Sequence, residues 1–454
     1  MTAHYVHSFT GSVNDMRLRC DHHQLYQCDN NHYGIGGYDL SRRWIELVQD
    51  DHVTATTTIK DDGGSVTVRY GVRLSGENQL LEFSEIMDDV DDDDDKSTSS
   101  ILRDRVLSIN ETLSVIQRDS KDGPAIKAVY NYPYAAQLQL VRTLRPPRSK
   151  DMSNSGNEKV SCKPPVYDAS KDSFLVGPLR LFGVGEFHGE GEPRERTARV
   201  SVPTNGHEWD IYHNISPGDP RGHFLLLPAL DYEREWRHQS LTSTDCYDVT
   251  YLASTIEPIG SMVLTFNSVS AGASQNHIHC HAWVNPPPPL LRINREYAVE
   301  KASALTSLQL RSEVTVSLLD YPCTCIKISA SVSRFEETLK VMGDSLSKVV
   351  QIAAQSLKAP HNVAWMNSSG DAEKIQQLAI YVFFRKAEVT DRVDSVFRLG
   401  ASEMLGVFHC SSNEQLDSIS NNMKDILKDV SLEDSSSIWR SVCEALDTDT
   451  PRSK

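Results

Sequence analysis

Polar and apolar positions alternate along much of this chain. HVTATTTI at 52–59 and SVTVRYGV at 65–72 place β-branched residues every second position, and KDDGG between them carries the Asp62-Gly63-Gly64 signal of a hairpin. From about Tyr33 to Glu82 the pattern is strand-like throughout, which predicts a two- or three-stranded antiparallel unit. The acidic run Asp88 to Asp95 with KSTSS behind it cannot bury itself and reads as an insertion over 88–100. Residues 101–122 read as a polar helix or linker, and Arg142, Arg145 and Arg148, bounded by Pro146 and Pro147, either lie beside a phosphate site, which guanidinium forks suit, or form a solvated edge, the favoured reading.

Regular pattern resumes at about Ser173. HEWDIYHNIS is a strand, SPGDPRG a turn, and GHFLLLPAL a buried strand stopped by Pro228. Leu241 to Ile259 has helical spacing, with Asp245 and Asp248 assigned to its polar side, and a strand region from Leu264 to Trp283 follows before four prolines at 286–289 end the unit. Beyond the prolines LTSLQLRSEVTVSLL and CTCIKISASVS alternate as strands. RFEETLKVMGDSLSKVVQIAAQSL is an amphipathic helix, and HNVAWM and IQQLAIYVFFR are two further strands. The second set repeats the ingredients of the first. The expectation is an α+β chain with a β-rich region over 1–150, a first unit over 173–290 and a second over 291–454.

The candidate chemistry sits in LTFNSVSAGASQNHIHCHAW at 264–283. In an extended strand His277, His279 and His281 share one face, while Ile278, Cys280 and Ala282 share an apolar face that can rest on a core. Just upstream, Gly272 between alanines permits a close backbone approach, as a phosphate-binding loop requires. Two imidazoles two residues apart can alternatively share a zinc ion, with further ligands from elsewhere. Cys20, His22, His23 and Cys28 form a second, weaker zinc candidate whose spacing fits no standard template.

The 454 residues carry 62 acidic against 46 basic side chains, for a formal net charge of −16, and no basic cluster. That balance argues against a nucleic-acid partner. No apolar run is long enough for a signal peptide or a membrane span, and nine scattered cysteines fit reduced thiols, so the reading is a cytoplasmic protein without a membrane partner.

Asn267, Ser268, Gly272, Ser274, Gln275, His277 and His279 fall in the order of a pattern found in the histidine triad superfamily, in its nucleotidyltransferase and phosphorylase branch, which the stretch resembles. Asn214, Ser216, Pro217, Gly222, His223 and Pro228 similarly resemble an Asn-x-Ser-Pro, Gly-His-x-Leu-x-x-Pro segment of that superfamily. The C-terminal stretch from FRLGASEMLGVF onward looks most like the GDP-galactose and GDP-glucose phosphorylases. The resemblance implies two related halves, only the first bearing the histidine row, and an enzyme in which His279 attacks phosphorus to give a covalent nucleotidyl-histidine. It further implies that the His277 carbonyl orients His279, that Ser274 and Gln275 with the Gly272 loop hold the phosphoryl oxygens, that Asn214 and Asn267 contact the substrate, and that His223 supports the site. Where that branch carries Gln, this chain has His281, the residue of the hydrolase members. The implied partners are a nucleoside diphosphate sugar, GDP-hexose first, and phosphate. No cofactor is implied, and a homodimer is an assembly compatible with this reading. Dinucleoside polyphosphate cleavage, and nucleotide binding without turnover, remain the alternatives.

Overall fold

The computed structural model describes residues 25–28, 32–35, 37–49, 54–61, 64–75, 80–87, 128–138, 197–214, 217–229, 237–273, 276–284, 297–331, 335–369, 376–393 and 398–447. The acidic run, the arginine segment, the proline run, Cys20, His22 and His23 lie outside these residues, as does the side chain of Cys28.

The N-terminal part contains β1 (Leu25–Cys28), β2 (His32–Ile35), a helix α1 (Gly37–Gln49), and the antiparallel sheet β3 (Thr54–Asp61), β4 (Gly64–Ser75), β5 (Leu80–Met87). The hairpin expectation holds, with Asp61 paired to Gly64. The strand-like reading of 33–82 missed α1. There Leu40, Trp44, Leu47 and Val48 recur at helical intervals and are buried, so the period is 3.6 rather than 2. A second hairpin, β6 (Ala128–Asn131) and β7 (Tyr134–Leu138), follows.

Next in the chain come β8 (Ala198–Val202), β9 (His207–His213), β10 (His223–Pro228), α2 (Ser243–Ser254), β11 (Met262–Asn267) and β12 (Cys280–Val284). The second series is β13 (Ala304–Gln309), β14 (Thr315–Leu319), β15 (Cys325–Ser331), α3 (Phe335–Gln351), β16 (His361–Ser369) and β17 (Gln376–Phe384). Short α4 (Ala401–Met404), β18 (Val407–Cys410), α5 (Asn413–Ser420), α6 (Met423–Val430) and α7 (Ser435–Asp447) close the chain.

Both series enter one ten-stranded sheet in the order β13-β14-β15-β17-β16-β11-β12-β10-β9-β8. Read outward from the central β11–β16 pair, the order is the same on both sides. Each half is therefore three strands, a helix and two strands with identical pairing, and the fold is α+β with two halves sharing a continuous antiparallel sheet. Strand β8 is one more per half than the sequence pattern suggested. The halves differ where β11 leads to β12 through 268–279, while β16 leads to β17 through the shorter 370–375.

Register decides which side chains share a face. Phe224, Leu226, Cys280, Ala282, Leu264 and Trp365 point to one side, where α1, α2 and α3 cover the sheet: Trp44 of α1 meets Phe224 edge-on at 5.4 Å, and the Trp365 indole donates to Thr250 Oγ1 of α2 at 3.1 Å. Helix α3 fits that side because Leu339, Met342, Leu346 and Val349 form an apolar stripe. Helix α2 starts at a reciprocal cap, Thr242 with Asp245. Asp245 and Asp248 are both buried, not on a polar face. Their charges are met locally, Asp245 by Arg237 and the cap, Asp248 by Asn205, His207 and the Trp209 indole. The opposite side of the sheet carries His223, His281, Trp283, Thr265, Asn267 and Asn362. Among the described residues no helix is long and apolar enough to cross a membrane.

Candidate active site

The histidine row is only partly a strand. His281 lies in β12, but His277 and His279 precede it in irregular chain, because Gln239 takes the place of a strand partner. The Gln239 side chain accepts the His279 N–H at 2.8 Å and donates to the His279 carbonyl at 3.0 Å and the Asn267 carbonyl at 2.8 Å. One carboxamide thus satisfies both main-chain groups of His279 and ties it to the end of β11. Ile278 adds a main-chain bond to the Arg237 carbonyl at 3.0 Å. The apolar half of the alternation behaves as expected, with Ile278, Cys280 and Ala282 all buried. Gln239 was not visible as a site residue from the sequence, since an isolated Gln before a helix cap carries no distinctive signal.

His279 is fully buried and its Nδ1 stands 2.8 Å from the His277 carbonyl. A carbonyl only accepts, so Nδ1 carries the proton and the lone pair lies on Nε2. Burial pulls the His279 pKa down to about 4, against a smaller upward pull from that carbonyl bond. His277, whose Nδ1 faces the Ile278 carbonyl at 3.0 Å, is lowered to about 3, chiefly by burial, with His279 and Arg237 adding to it. Both rings are neutral near pH 7.

His281 is oriented from the other side. The Gly218 N–H donates to His223 Nδ1 at 2.8 Å, so a neutral His223 must hold its proton on Nε2, which lies 2.8 Å from His281 Nδ1. His281 then presents Nε2–H as a donor, as the amide of Gln would. Its ring is 5.0 Å from that of His279, at 71°. The glycines of the turn at 217–222 are required: a Cβ on Gly218 would come within 2.8 Å of the Trp283 ring, and one on Gly222, whose φ is +139°, within 2.0 Å of Val284 Cγ2. His223 stacks on Trp283 at 3.9 Å, and Asn214 Nδ2 stands 3.4 Å from His223 Nδ1. His223 and Asn214 therefore both adjoin the imidazole row.

The loop at 268–273 is built differently from the expectation. The Gly272 amide donates to Glu388 Oε2 at 3.0 Å, so that N–H is engaged by a carboxylate of the second half. Gly272 has φ +99°, and a Cβ there would meet Gly400 Cα and the Leu399 oxygen at 2.7 Å. Its glycine serves a backbone-to-backbone contact. Asn267 is likewise absorbed into structure: its Oδ1 accepts from Asn362 Nδ2 and from the Ala401 N–H, both at 2.8 Å. Ser274 and Gln275 lie outside the described residues, as does Ser216.

Arg385, immediately after β17, closes this junction. Its guanidinium is buried, and Nη1 donates to the Ala271 carbonyl at 3.1 Å, Asn362 Oδ1 at 2.9 Å and the Leu399 carbonyl at 2.8 Å. Burial lowers its pKa, opposed by Cys323, Glu388 and Glu403. Segments from the second half, 385–388 and 398–401, thus hold the loop that precedes the histidines. Near them His409 packs parallel to Trp283 at 6.0 Å, its Nδ1 3.3 Å from Glu403 Oε1 and 3.2 Å from Ser402 Oγ.

Among the described residues no three His, Cys, Asp or Glu side chains are grouped to hold a metal ion, the histidine row included. The arrangement offers a lone pair on one buried imidazole and a donor on its neighbour. That combination suits attack on an electrophile that gains negative charge.

Comparison with protein-family models gives no match, and comparison with curated proteins gives none either. Among solved structures the chain is similar to yeast Ap4A phosphorylase at 13% identity, over 72% of this chain and 97% of that one, with a TM-score of 0.40. A DUF4931 family protein from Bacillus cereus is similar at 12% identity over 51% of this chain and 99% of that one, with a TM-score of 0.29. A uridylyltransferase is similar at 11% identity, over 46% of this chain and 75% of its own, with a TM-score of 0.27.

Proposed function

We propose that the protein is a nucleotidyltransferase that cleaves a nucleoside diphosphate sugar, GDP-hexose first, with phosphate as acceptor, through a nucleotidyl-histidine on His279. One observation carries the reading: His279 is locked with its proton on Nδ1 by the His277 carbonyl and is held neutral by burial, so Nε2 is a ready nucleophile at neutral pH.

In the first step Nε2 of His279 attacks the α-phosphorus, a P–N bond forms, and the P–O bond to the hexose phosphate breaks. The Nε2–H of His281 is positioned to donate to a phosphoryl or leaving oxygen as charge develops there. In the second step inorganic phosphate attacks the same phosphorus, releasing a nucleoside diphosphate and the free imidazole. The sequence likeness to GDP-hexose phosphorylases at 397–446 supports the sugar nucleotide, and dinucleoside polyphosphate is the competing substrate.

Product analysis with GDP-galactose, GDP-glucose and diadenosine tetraphosphate, each with and without phosphate, tests the assignment. Phosphate-dependent release of GDP and hexose 1-phosphate is expected. Equal consumption without phosphate would make the enzyme a hydrolase, and His279→Asn protein turning over near the parent rate would refute the covalent route.

A further inference from the structure

Strand β18 pairs in parallel with β7, giving the small sheet β18-β7-β6, with His409 opposite Gln137 and Val407 opposite Ala135. Opposed residues of paired strands point the same way, about 5 Å apart. One face of this sheet, with Ala136, Leu138, Phe408 and Cys410, is buried against the C-terminal helices. The other carries Gln137 and His409, and His409 faces Trp283 beside the imidazole row. The N-terminal hairpin thereby reaches the site.

Gln137 is 4% exposed, and its Oε1 is buried with no hydrogen-bond partner among the described residues. A buried carboxamide oxygen left without a donor is costly, which points to a ligand that supplies one. We propose that Gln137 binds a hydroxyl of the non-nucleotide half of the substrate and so sets specificity for a polyol over phosphate alone; this rests on the nucleotidyl-transfer reading above. Phosphate oxygens are excluded as its partner because they too are acceptors. A stacked nucleobase is disfavoured because the Trp283 ring is already stacked on His223. A hexose hydroxyl answers the geometry, and it places the sugar under β7 and β18.

Calorimetric titration of GDP-glucose and of GDP into the full-length protein separates the possibilities. Gln137→Met, which keeps length and volume, is expected to weaken GDP-glucose by about tenfold while leaving GDP unchanged. Gln137→Glu, which keeps an acceptor, is expected to retain most of the difference and guards against a folding defect in the first variant. Equal weakening of both ligands, or none of either, would overturn the assignment. All titrations use the His279→Asn background, in which no nucleotidyl-enzyme forms, so loss of the sugar increment is distinct from failure of the functional reading, which would show as no nucleotidyl-enzyme in the unmodified protein.

Discussion

Acidification of the nucleophile gives a quantitative test of the site. An ordinary imidazole with pKa near 6.5 is neutral in only about 3% of molecules at pH 5, so a rate that needs the lone pair would fall about thirtyfold from its high-pH plateau. In this site burial brings His279 down to about 4, and at pH 5 about nine-tenths of the molecules still have Nε2 unprotonated. The substrate phosphodiesters do not titrate between pH 5 and 8, so the first chemical step should be nearly flat over that range. The assay is a single-turnover measurement of phosphorus label appearing on protein, in the absence of phosphate, at half-unit pH steps. His281→Gln serves as the control, since it removes the adjacent imidazole and keeps an N–H donor in the role assigned to His281 Nε2. A limb centred near pH 6.5 in both proteins would show that His279 is solvated during attack, and the buried-nucleophile account would fail. A limb that disappears in His281→Gln would assign that ionisation to His281 instead.

Gly272→Ala should cost about 1–3 kcal/mol of stability through its positive φ and the 2.7 Å approach to the Leu399 oxygen, and should lower kcat/KM by about a hundredfold by displacing the loop before the histidines; thermal midpoints and steady-state kinetics measured together check this, and unchanged activity would remove the loop from the site. His361 is buried, with Nδ1 3.2 Å from the Ala359 carbonyl and a pKa lowered to about 4, chiefly by burial. Its unfolded-state value is higher, so the unfolded chain binds the proton first, and stability that is full above about pH 6.5 is lost as pH falls towards 4. His361→Leu should therefore lose about 2 kcal/mol less than the parent between pH 7 and pH 5, read from urea midpoints, and parallel losses in the two proteins would contradict the assignment.

Local pattern determined a good deal here. Alternation and turn residues located β3, β4, β9, β10, β14 to β17 and α3, because each buries a face whose period is written in the residues it spans. The histidine row and the Gly-His turn were legible for the same reason: side chains that act together sit within a few positions of one another. What lay beyond the sequence was set by contacts between distant segments. The amphipathic α1 hid among strand-like neighbours, and Asp248 proved buried because Asn205, His207 and Trp209 converge on it from another hairpin. The site's supports are of this kind throughout, since Gln239 reaches His279 across 40 positions and Arg385 reaches Ala271 across 114. Gln137 reaches His409's side only because β7 pairs with β18. Periodicity encodes which face a residue presents to the core, whereas the partner that faces it is chosen by strand order and loop closure, which only the folded chain decides.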